Sequence, residues 1–418
     1  MTVQRPVKLL KVAIVGGGPG GLSTAIALSQ IPHVEVALYE QAKVLSEVGA
    51  GISIGPNTWN VLELLGVAIL RIWCLLILTY PRNGKTGEEV HRIERAGFGA
   101  GKRPNIRTQR TKLQSALLSH VKPGVIHLSK KLVSISDEGE NGVELQFQDG
   151  TVTTADLVVG ADGIRSVVRD AAWSDYEIKF TGTTIWRALL PWDKVKRLDD
   201  RFDVTAWWHG PTTHVYFSPV GEGLGEIAAR AWHDPAVHSA SKVSWGVPVA
   251  KDHVESHFQE YLPQVREVLG MVTEGDWREF AAFSGPELSQ LTAWDNKIVL
   301  VGDSSHALSG AFGSGAGLAM EDGYILARAL EYFRNDVHRA VPLFDAIRLP
   351  YYSRMYEYLA GEAQKRVARL RDLGDTATYD DQVKVKIIKG GADMSWIYNN
   401  DIGSVWKSAV EELTAKDQ

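Results

Sequence analysis

The run Gly16-Gly17-Gly18-Pro19-Gly20-Gly21 is the densest set of residues in this chain with a chemical implication. It follows a short apolar run, 12–15, that reads as a buried parallel strand, and it precedes 22–30, which reads as a helix. Gly16 permits a tight turn, Gly18 lets the backbone approach a pyrophosphate, and Gly21 lets the helix pack closely on the strand. The N–H groups at the start of that helix then face the phosphates. A second apolar run, 34–39, ends at Glu40, about twenty residues past the glycines, where a ribose hydroxyl needs an acceptor. Glycines alone would say little. Strand, glycines, helix, strand and acid in that order specify a dinucleotide-binding unit.

Two further motifs carry chemistry. The first is Val301-Gly302-Asp303-Ser304-Ser305-His306, followed by Gly310-Ala311-Phe312-Gly313-Ser314-Gly315-Ala316-Gly317. Asp303 closes a buried-strand pattern, 297–301, and can accept hydrogen bonds from sugar-chain hydroxyls. The glycines let backbone lie against a flat ring. Gly315 and Ala316 come just before the helix that follows, whose positive end would stabilise negative charge on that ring. The second motif is Gly160-Ala161-Asp162-Gly163, a turn between a strand, 157–160, and a helix. Either aspartate could instead cap a helix, Asp162 more readily than Asp303. His306 has no placed catalytic partner and reads as structural.

These motifs need elements to hold them. The span 133–147 alternates apolar and polar residues around a turn-like centre and reads as a hairpin. From 183 to 232 the chain is rich in Trp, Val, Thr and Tyr, punctuated by Gly and Pro, and reads as an antiparallel sheet. Residues 317–333 and 341–371 read as helices. The expected fold class is α/β, a Rossmann-like domain interrupted by an inserted mixed or antiparallel sheet domain and finished by helices. The expected spans are 1–172 and 286–345 for the nucleotide-binding domain, 173–285 for the sheet domain, and 346–418 for the C-terminal helices.

Composition is that of an ordinary globular chain. The 418 residues are 44% hydrophobic and 23% charged, enough for more than one core. A net charge of -5 gives no electrostatic case for nucleic acid. The single cysteine, Cys74, forbids an intrachain disulfide and suits a reducing, cytoplasmic setting. The N-terminus runs almost directly into the first strand, which leaves no room for a cleaved signal. The apolar stretch 67–80 contains Arg71 and is too short to span a bilayer, so it reads as core rather than as an integral membrane segment. The histidines show no metal-ligand spacing, and no metal is expected.

With these residues in view, the chain resembles the FAD-dependent aromatic hydroxylases of the single-component type, nearest to salicylate hydroxylase-like monooxygenases. The likeness runs over nearly the whole length. It implies a noncovalent FAD held by Gly16, Gly18, Gly21, Glu40, Gly51, Arg110, Asp162, Asp303, Gly315 and Ala316. Gly51 falls in the segment Glu47-Val48-Gly49-Ala50-Gly51 that contacts the flavin in such proteins, and Arg110 matches an arginine that reaches the cofactor, although the histidine that usually precedes it is Gln109. The segment Trp396-Ile397-Tyr398-Asn399-Asn400-Asp401 also matches. The likeness further implies NADH or NADPH and O2 as co-substrates, oxygen transfer through a flavin C4a-hydroperoxide, and a small aromatic substrate. A homodimer is compatible with it.

Departures from the family pattern matter as much. A proline expected beside the flavin is Gly310, and an expected polar residue is Ala311, so the loop should be less restrained. Arg187 matches an arginine that anchors substrate in related fungal hydroxylases. The tyrosine paired with it there corresponds to Ser218, but Tyr216 lies two residues earlier, on the same face of a strand. Arg187 and Tyr216 are therefore the catalytic candidates, with a structural ion pair and plain packing as their respective alternatives. Three other functions stay open at this point: oxidation of an indole or alkene, a flavin reductase or dehydrogenase, and a non-catalytic FAD-bound interaction protein.

Overall fold

The structure is a computed structural model that describes residues 9–45, 50–67, 74–75, 78–90, 93–94, 103–237, 245–387 and 393–416. Parts of two sequence expectations, Glu47 to Gly49 and much of the apolar stretch 67–80, lie outside these residues.

The strand Leu10–Val15 is buried except at Lys11 because it lies at the centre of a sheet covered on both faces. It pairs in parallel with Leu157–Gly160 on one side and Val34–Tyr39 on the other. Ile298–Leu300 adds in parallel beside Leu157–Gly160, and Thr292–Ala293 closes that edge antiparallel. The nucleotide-binding sheet is thus completed by chain from beyond the inserted sheet, as the apolar pattern indicates. The hairpin Leu132–Asp137 and Val143–Phe147 forms, and Val152–Ala155 joins it.

The first helix, Pro19–Leu28, starts three residues earlier than the apolar pattern suggests. Proline suits the first helical turn, where its missing N–H is not needed and its φ is already helical. The helix packs on Gly315–Tyr332 with little between the backbones. A Cβ at Gly20 would lie 3.0 Å from the Cβ of Ala319, and one at Gly323 would lie 3.0 Å from the backbone of Thr24. The long helix Val337–Leu373 also starts early, because Asp336 accepts a hydrogen bond from the His338 N–H (3.1 Å) and caps it.

A buried polar network joins these helices. Arg348 pairs with Asp322 (2.7 Å) and Glu321 (3.2 Å), and Tyr352 donates to Asp322 (2.6 Å). Asp322 in turn accepts the Gly302 N–H (2.8 Å), so the network fixes the backbone next to Asp303. His306 stacks on Tyr352 with ring centroids 3.8 Å apart. That is the structural role expected for it.

Among the described residues the inserted sheet has eight strands. Two of them, Leu78–Asn83 and Ile93–Glu94, come from ahead of the 173–285 span, because Leu78–Asn83 pairs in parallel with Ala206–His209. The sheet has two unlike faces. Trp186, Ala188, Leu190, Trp208, Val215, Phe217, Ile227 and Ala229 point to one side and form a second core with Val254, Val265, Val268 and Leu269 from two helices, Lys251–Ser256 and Pro263–Gly270. The alternate residues point the other way, towards the nucleotide-binding half. No helix among the described residues is long and apolar enough to cross a membrane. Among the same residues no group of three or more His, Cys, Asp or Glu is arranged to hold a metal ion.

Burial, with Arg348 adding to it against Asp322, pushes the His306 pKa down to about 4. The folded protein therefore keeps His306 neutral where the unfolded chain takes up a proton. Stability from this group is full above pH 6.5 and is lost as pH falls towards 4, on the order of 3 kcal/mol in all. His306→Phe keeps the stack and removes the titration. Denaturant midpoints at pH 7 and pH 4 should differ less in the variant than in the wild type, and an unchanged difference would show that His306 is not the group responsible.

Candidate active site

The glycine turn has the shape its spacing implies. Gly16 has φ +106, and a Cβ there would sit 2.3 Å from the carbonyl oxygen of Ala161. A Cβ at Gly21 would sit 1.9 Å from the Gly16 carbonyl oxygen. Gly18 is different: nothing lies within 4 Å of its Cβ position, and no side chain caps the helix it opens. Tight packing thus explains Gly16 and Gly21, and open space beside bare helix N–H groups explains Gly18. Glu40 comes to the same loop, where it accepts from the N–H groups of Gly17 (2.6 Å) and Ala42 (2.8 Å). A carboxylate has about four acceptor sites, so a hydroxyl can still bind it.

Three other helices begin around the same cleft without a side-chain cap. They are Pro56–Leu64, Arg110–Leu118 and Gly315–Tyr332. The last passes so close to the first that a Cβ at Gly317 would lie 2.4 Å from the Thr58 hydroxyl. The side-chain amide nitrogen of Asn57 is buried here and lacks a hydrogen-bond partner. Uncapped helix starts leave N–H donors and a positive end facing outward. The arrangement fits a long, anionic, hydroxyl-rich cofactor such as FAD.

Asp303 is solvent-accessible yet deep in the cleft, so burial raises its pKa while Arg110 opposes the rise. Its carboxylate lies 3.8 Å from the Cβ position of Gly315. Asp303, Arg110, Gly315 and Ala316 are therefore neighbours, although they are far apart in sequence. Asp162 is placed differently. Its carboxylate accepts from the Ser166 hydroxyl and from the N–H groups of Val167 (2.7 Å) and Val168 (3.2 Å). Its side chain serves the start of the helix Val167–Ala172.

Gly51 packs closely against the inserted sheet. A Cβ there would lie 2.3 Å from a guanidinium nitrogen of Arg107, 2.7 Å from Val220 and 2.8 Å from Glu226. The absent side chain makes room for a buried ion pair between Arg107 and Glu226. Gly310 has φ +68, a left-handed conformation closed to proline. The family's proline could not replace it without rebuilding the loop, so the glycine fixes a different loop shape rather than loosening the same one. That loop is braced from behind by the late aromatic segment, where the Tyr398 hydroxyl donates to the Phe312 carbonyl (3.1 Å).

The sheet face towards the cleft carries the catalytic candidates. Arg187 is level with Ala228 on the next strand, Ala228 with Tyr216, and Tyr216 with Trp207. All four share one face and one row. Tyr216 packs against Trp207 (4.5 Å between ring centroids) and lies under the Arg107 guanidinium (5.4 Å). Glu226 stands one residue pair along from Ala228, with its second oxygen 3.8 Å from Arg187. Burial works against the Arg107 charge, but Tyr216 and Glu226 outweigh it and hold its pKa above the ordinary value. Burial lowers the pKa of Arg187, with Glu226 opposing and the neighbouring Arg110 and Arg107 adding to the fall. Arg187 thus meets a carboxylate and remains partly open on the cleft wall, 24% exposed. Sequence reasoning missed Arg107, Glu226 and Arg230. The last two were legible as charges at alternate positions inside the strand Leu224–Trp232.

Comparison with known proteins agrees with this geometry. The family described as FAD binding domain matches residues 10–337. The chain is 30% identical to 3-hydroxybenzoate 6-hydroxylase of Klebsiella oxytoca, over 82% of this chain and 85% of that one. It is 28% identical to 6-methylsalicylate 1-monooxygenase of Aspergillus terreus, over 96% and 92%. A salicylate hydroxylase substrate complex superposes with a TM-score of 0.77 at 24% identity, covering 96% of this chain and 98% of the other, which establishes the shared fold. The chain belongs to the FAD-dependent aromatic hydroxylase family and is a flavoprotein monooxygenase.

The packing around Gly51 gives a direct test. Gly51→Ala forces a methyl group into the Arg107–Glu226 pair and should destabilise the protein by about 1–3 kcal/mol. The FAD content of the protein that remains folded should be unchanged. Loss of flavin from folded Gly51→Ala would return Gly51 to the cofactor site.

Proposed function

We propose that this monooxygenase inserts one oxygen atom of O2 into a phenol or hydroxylated aromatic acid, with NADH or NADPH as reductant, and that Arg187 and Tyr216 orient the ring. The supporting observation is the single row formed by Arg187, Tyr216 and Trp207 on the sheet face that roofs the cofactor cleft. The relatives named above act on hydroxybenzoate and methylsalicylate rings, in line with this substrate class.

The residues divide the work. Gly16, Gly18 and Gly21 would admit the pyrophosphate of FAD to the helix start, Glu40 would accept from the ribose, and Asp303 and Arg110 would bind the chain between phosphate and ring. Gly315 and Ala316 would lie against the ring, with the helix behind them favouring negative charge. Bound FAD supplies the redox chemistry, taking electrons from the nicotinamide and activating O2. The sheet roof keeps water from the ring. Arg187 lies where it can hold a phenolic oxygen as its anion. A nearby cation lowers a phenol's pKa, and an ionised phenol makes the ring more nucleophilic. Tyr216 supplies a hydroxyl beside the same point. The single cysteine fits a reducing cytoplasm.

Two outcomes follow. The purified protein should be yellow, and acid precipitation should release the flavin into the supernatant. Asp303→Ala should weaken flavin retention, because donors it serves lose their acceptor. Colour that stays in the pellet would rule out noncovalent binding. In steady-state oxygen uptake, Arg187→Ala should lower kcat/KM about tenfold to a hundredfold with FAD intact, the loss of one charge-assisted hydrogen bond. Arg187→Lys should recover part of this, since a point charge replaces a fork. Wild-type kinetics in Arg187→Ala would end the anchoring role.

A further inference from the structure

Residues 309–313, ahead of the helix Gly315–Tyr332, have few ties to the rest of the chain. Ser309, Gly310 and Gly313 are left-handed, with φ +55, +68 and +66. Gly310 and Gly313 are exposed, and nothing lies within 4 Å of their Cβ positions. Two local hydrogen bonds shape the loop, from the Ala311 N–H to Leu308 (3.0 Å) and from the Gly313 N–H to Gly310 (3.2 Å). Phe312 is the pin. Its ring is buried, with its centroid 6.0 Å from that of Tyr358, and its carbonyl accepts from the Tyr398 hydroxyl (3.1 Å). Among the described residues this is the one hydrogen bond that reaches 309–313 from another element. The peptide between Phe312 and Gly313 is therefore held at both ends, its oxygen by Tyr398 and its N–H by Gly310.

Tyr398 lies in a segment, 396–401, that is itself firmly seated. Ile397 is fully buried. The Trp396 carbonyl accepts from the Tyr351 hydroxyl (3.3 Å), and the Arg354 guanidinium lies 4.1 Å from the Trp396 ring centroid. Asn400 donates to Glu321 on the helix Gly315–Tyr332 (3.0 Å), and its carbonyl accepts from Asn60 on Pro56–Leu64 (3.2 Å). One short segment thus joins two of the uncapped helices to the loop ahead of one of them.

The helix Gly315–Tyr332 begins two residues beyond the pinned peptide. Its first bond runs from the Leu318 N–H to the Ser314 carbonyl, so the N–H groups of Gly315, Ala316 and Gly317 have no partner within the helix. These donors make its positive end. Glycine accepts either sign of φ, so Gly313 lets the peptide before it rotate once a restraint is lost. Rotation would turn the Phe312 oxygen from Tyr398 to the open side of the loop and set a negative pole beside those donors.

We propose that Tyr398 is a positioning residue for the flavin: its hydroxyl holds the Phe312 carbonyl away from the ring, so that the positive start of the helix Gly315–Tyr332 faces the reduced cofactor alone. The restraint on this loop comes from a distant segment rather than from a proline within it. The proposal rests on the placement of Gly315 and Ala316 against the ring given above. Loss of the hydroxyl frees the peptide, and the reduced, anionic flavin then loses stabilisation relative to the oxidised form.

The test is the two-electron midpoint potential of bound FAD, measured by anaerobic reduction of the purified holoprotein at pH 7 against a reference dye, with no aromatic present. Tyr398→Phe removes the hydroxyl that pins the loop. Tyr351→Phe removes a hydroxyl that holds the same segment at Trp396. Tyr398→Phe should hold reduced relative to oxidised flavin about threefold to tenfold less tightly, a potential lower by about 15–30 mV, with FAD content retained. Tyr351→Phe should keep the wild-type potential. An unchanged potential in Tyr398→Phe overturns the proposal. So does an equal fall in both variants, which would be a general loosening of the segment. Folded Tyr398→Phe that sheds its FAD also overturns it, because the residue would then retain the cofactor rather than tune it. A wild type that takes up no FAD would count against the cofactor placement itself.

Discussion

The ion pair between Arg107 and Glu226 is the constraint on which the site depends. Arg107 belongs to the strand Ile106–Gln109 of the nucleotide-binding half, and Glu226 to the inserted sheet. Both are almost fully buried, at 8% and 2% side-chain exposure. A buried pair contributes little net stability, because desolvation offsets most of the attraction, but removing one partner strands the other charge at a cost of about 3–5 kcal/mol. Its value is geometric. It ties the inserted sheet to the strand Ile106–Gln109, and the Arg107 guanidinium lies 5.4 Å from the Tyr216 ring centroid. Val220 and the bare backbone of Gly51 close around it.

The cofactor half solves a different problem. Few of its side chains are charged towards the cleft. It relies instead on several helix starts that lack caps, brought together by close helix packing at Gly20, Gly317 and Gly323. Each residue lost to glycine there forgoes side-chain packing in exchange for backbone approach. The network of Arg348, Glu321, Asp322 and Tyr352 stiffens this assembly from the far side, and Asn400 joins it by donating to Glu321 (3.0 Å). Burial raises the Glu321 pKa to about 7 against the pull of Arg348. Glu321 lies in the same helix that begins at Gly315 and Ala316.

Much of the fold was legible because it obeys simple periods. Fully apolar runs gave the central strands, and the glycine turn with Glu40 gave the nucleotide unit. Alternation gave the two-faced sheet. Glycine roles were harder to separate, since spacing alone does not tell a glycine that admits a ligand from one that admits a neighbour. Gly18 faces open space, whereas Gly51 faces the side chains of Arg107, Val220 and Glu226. Asp162 was ambiguous between cap and ligand for the same reason, and its side chain is a cap. The membership of Leu78–Asn83 in the inserted sheet was not legible, because a parallel pairing with Ala206–His209 leaves no local signal in either segment. Nor was the Arg107–Glu226 pair, which depends on two halves of the chain meeting.

The interruption of the nucleotide-binding sheet has a consequence for how the chain reaches this state. Val158 pairs with Ile298, and Gly160 with Leu300, across the whole inserted sheet. Until the later segment emerges from synthesis, Leu157–Gly160 presents an apolar, unpaired strand edge. Such edges invite pairing with other chains, and contacts of long sequence separation form slowly. The inserted sheet has its own core around Trp186, Trp208 and Phe217 and can consolidate during that interval. The order of events is thus written into the topology: the roof of the site can form before its floor is closed, and low yield at high expression rates would trace to that exposed edge rather than to any residue of the site.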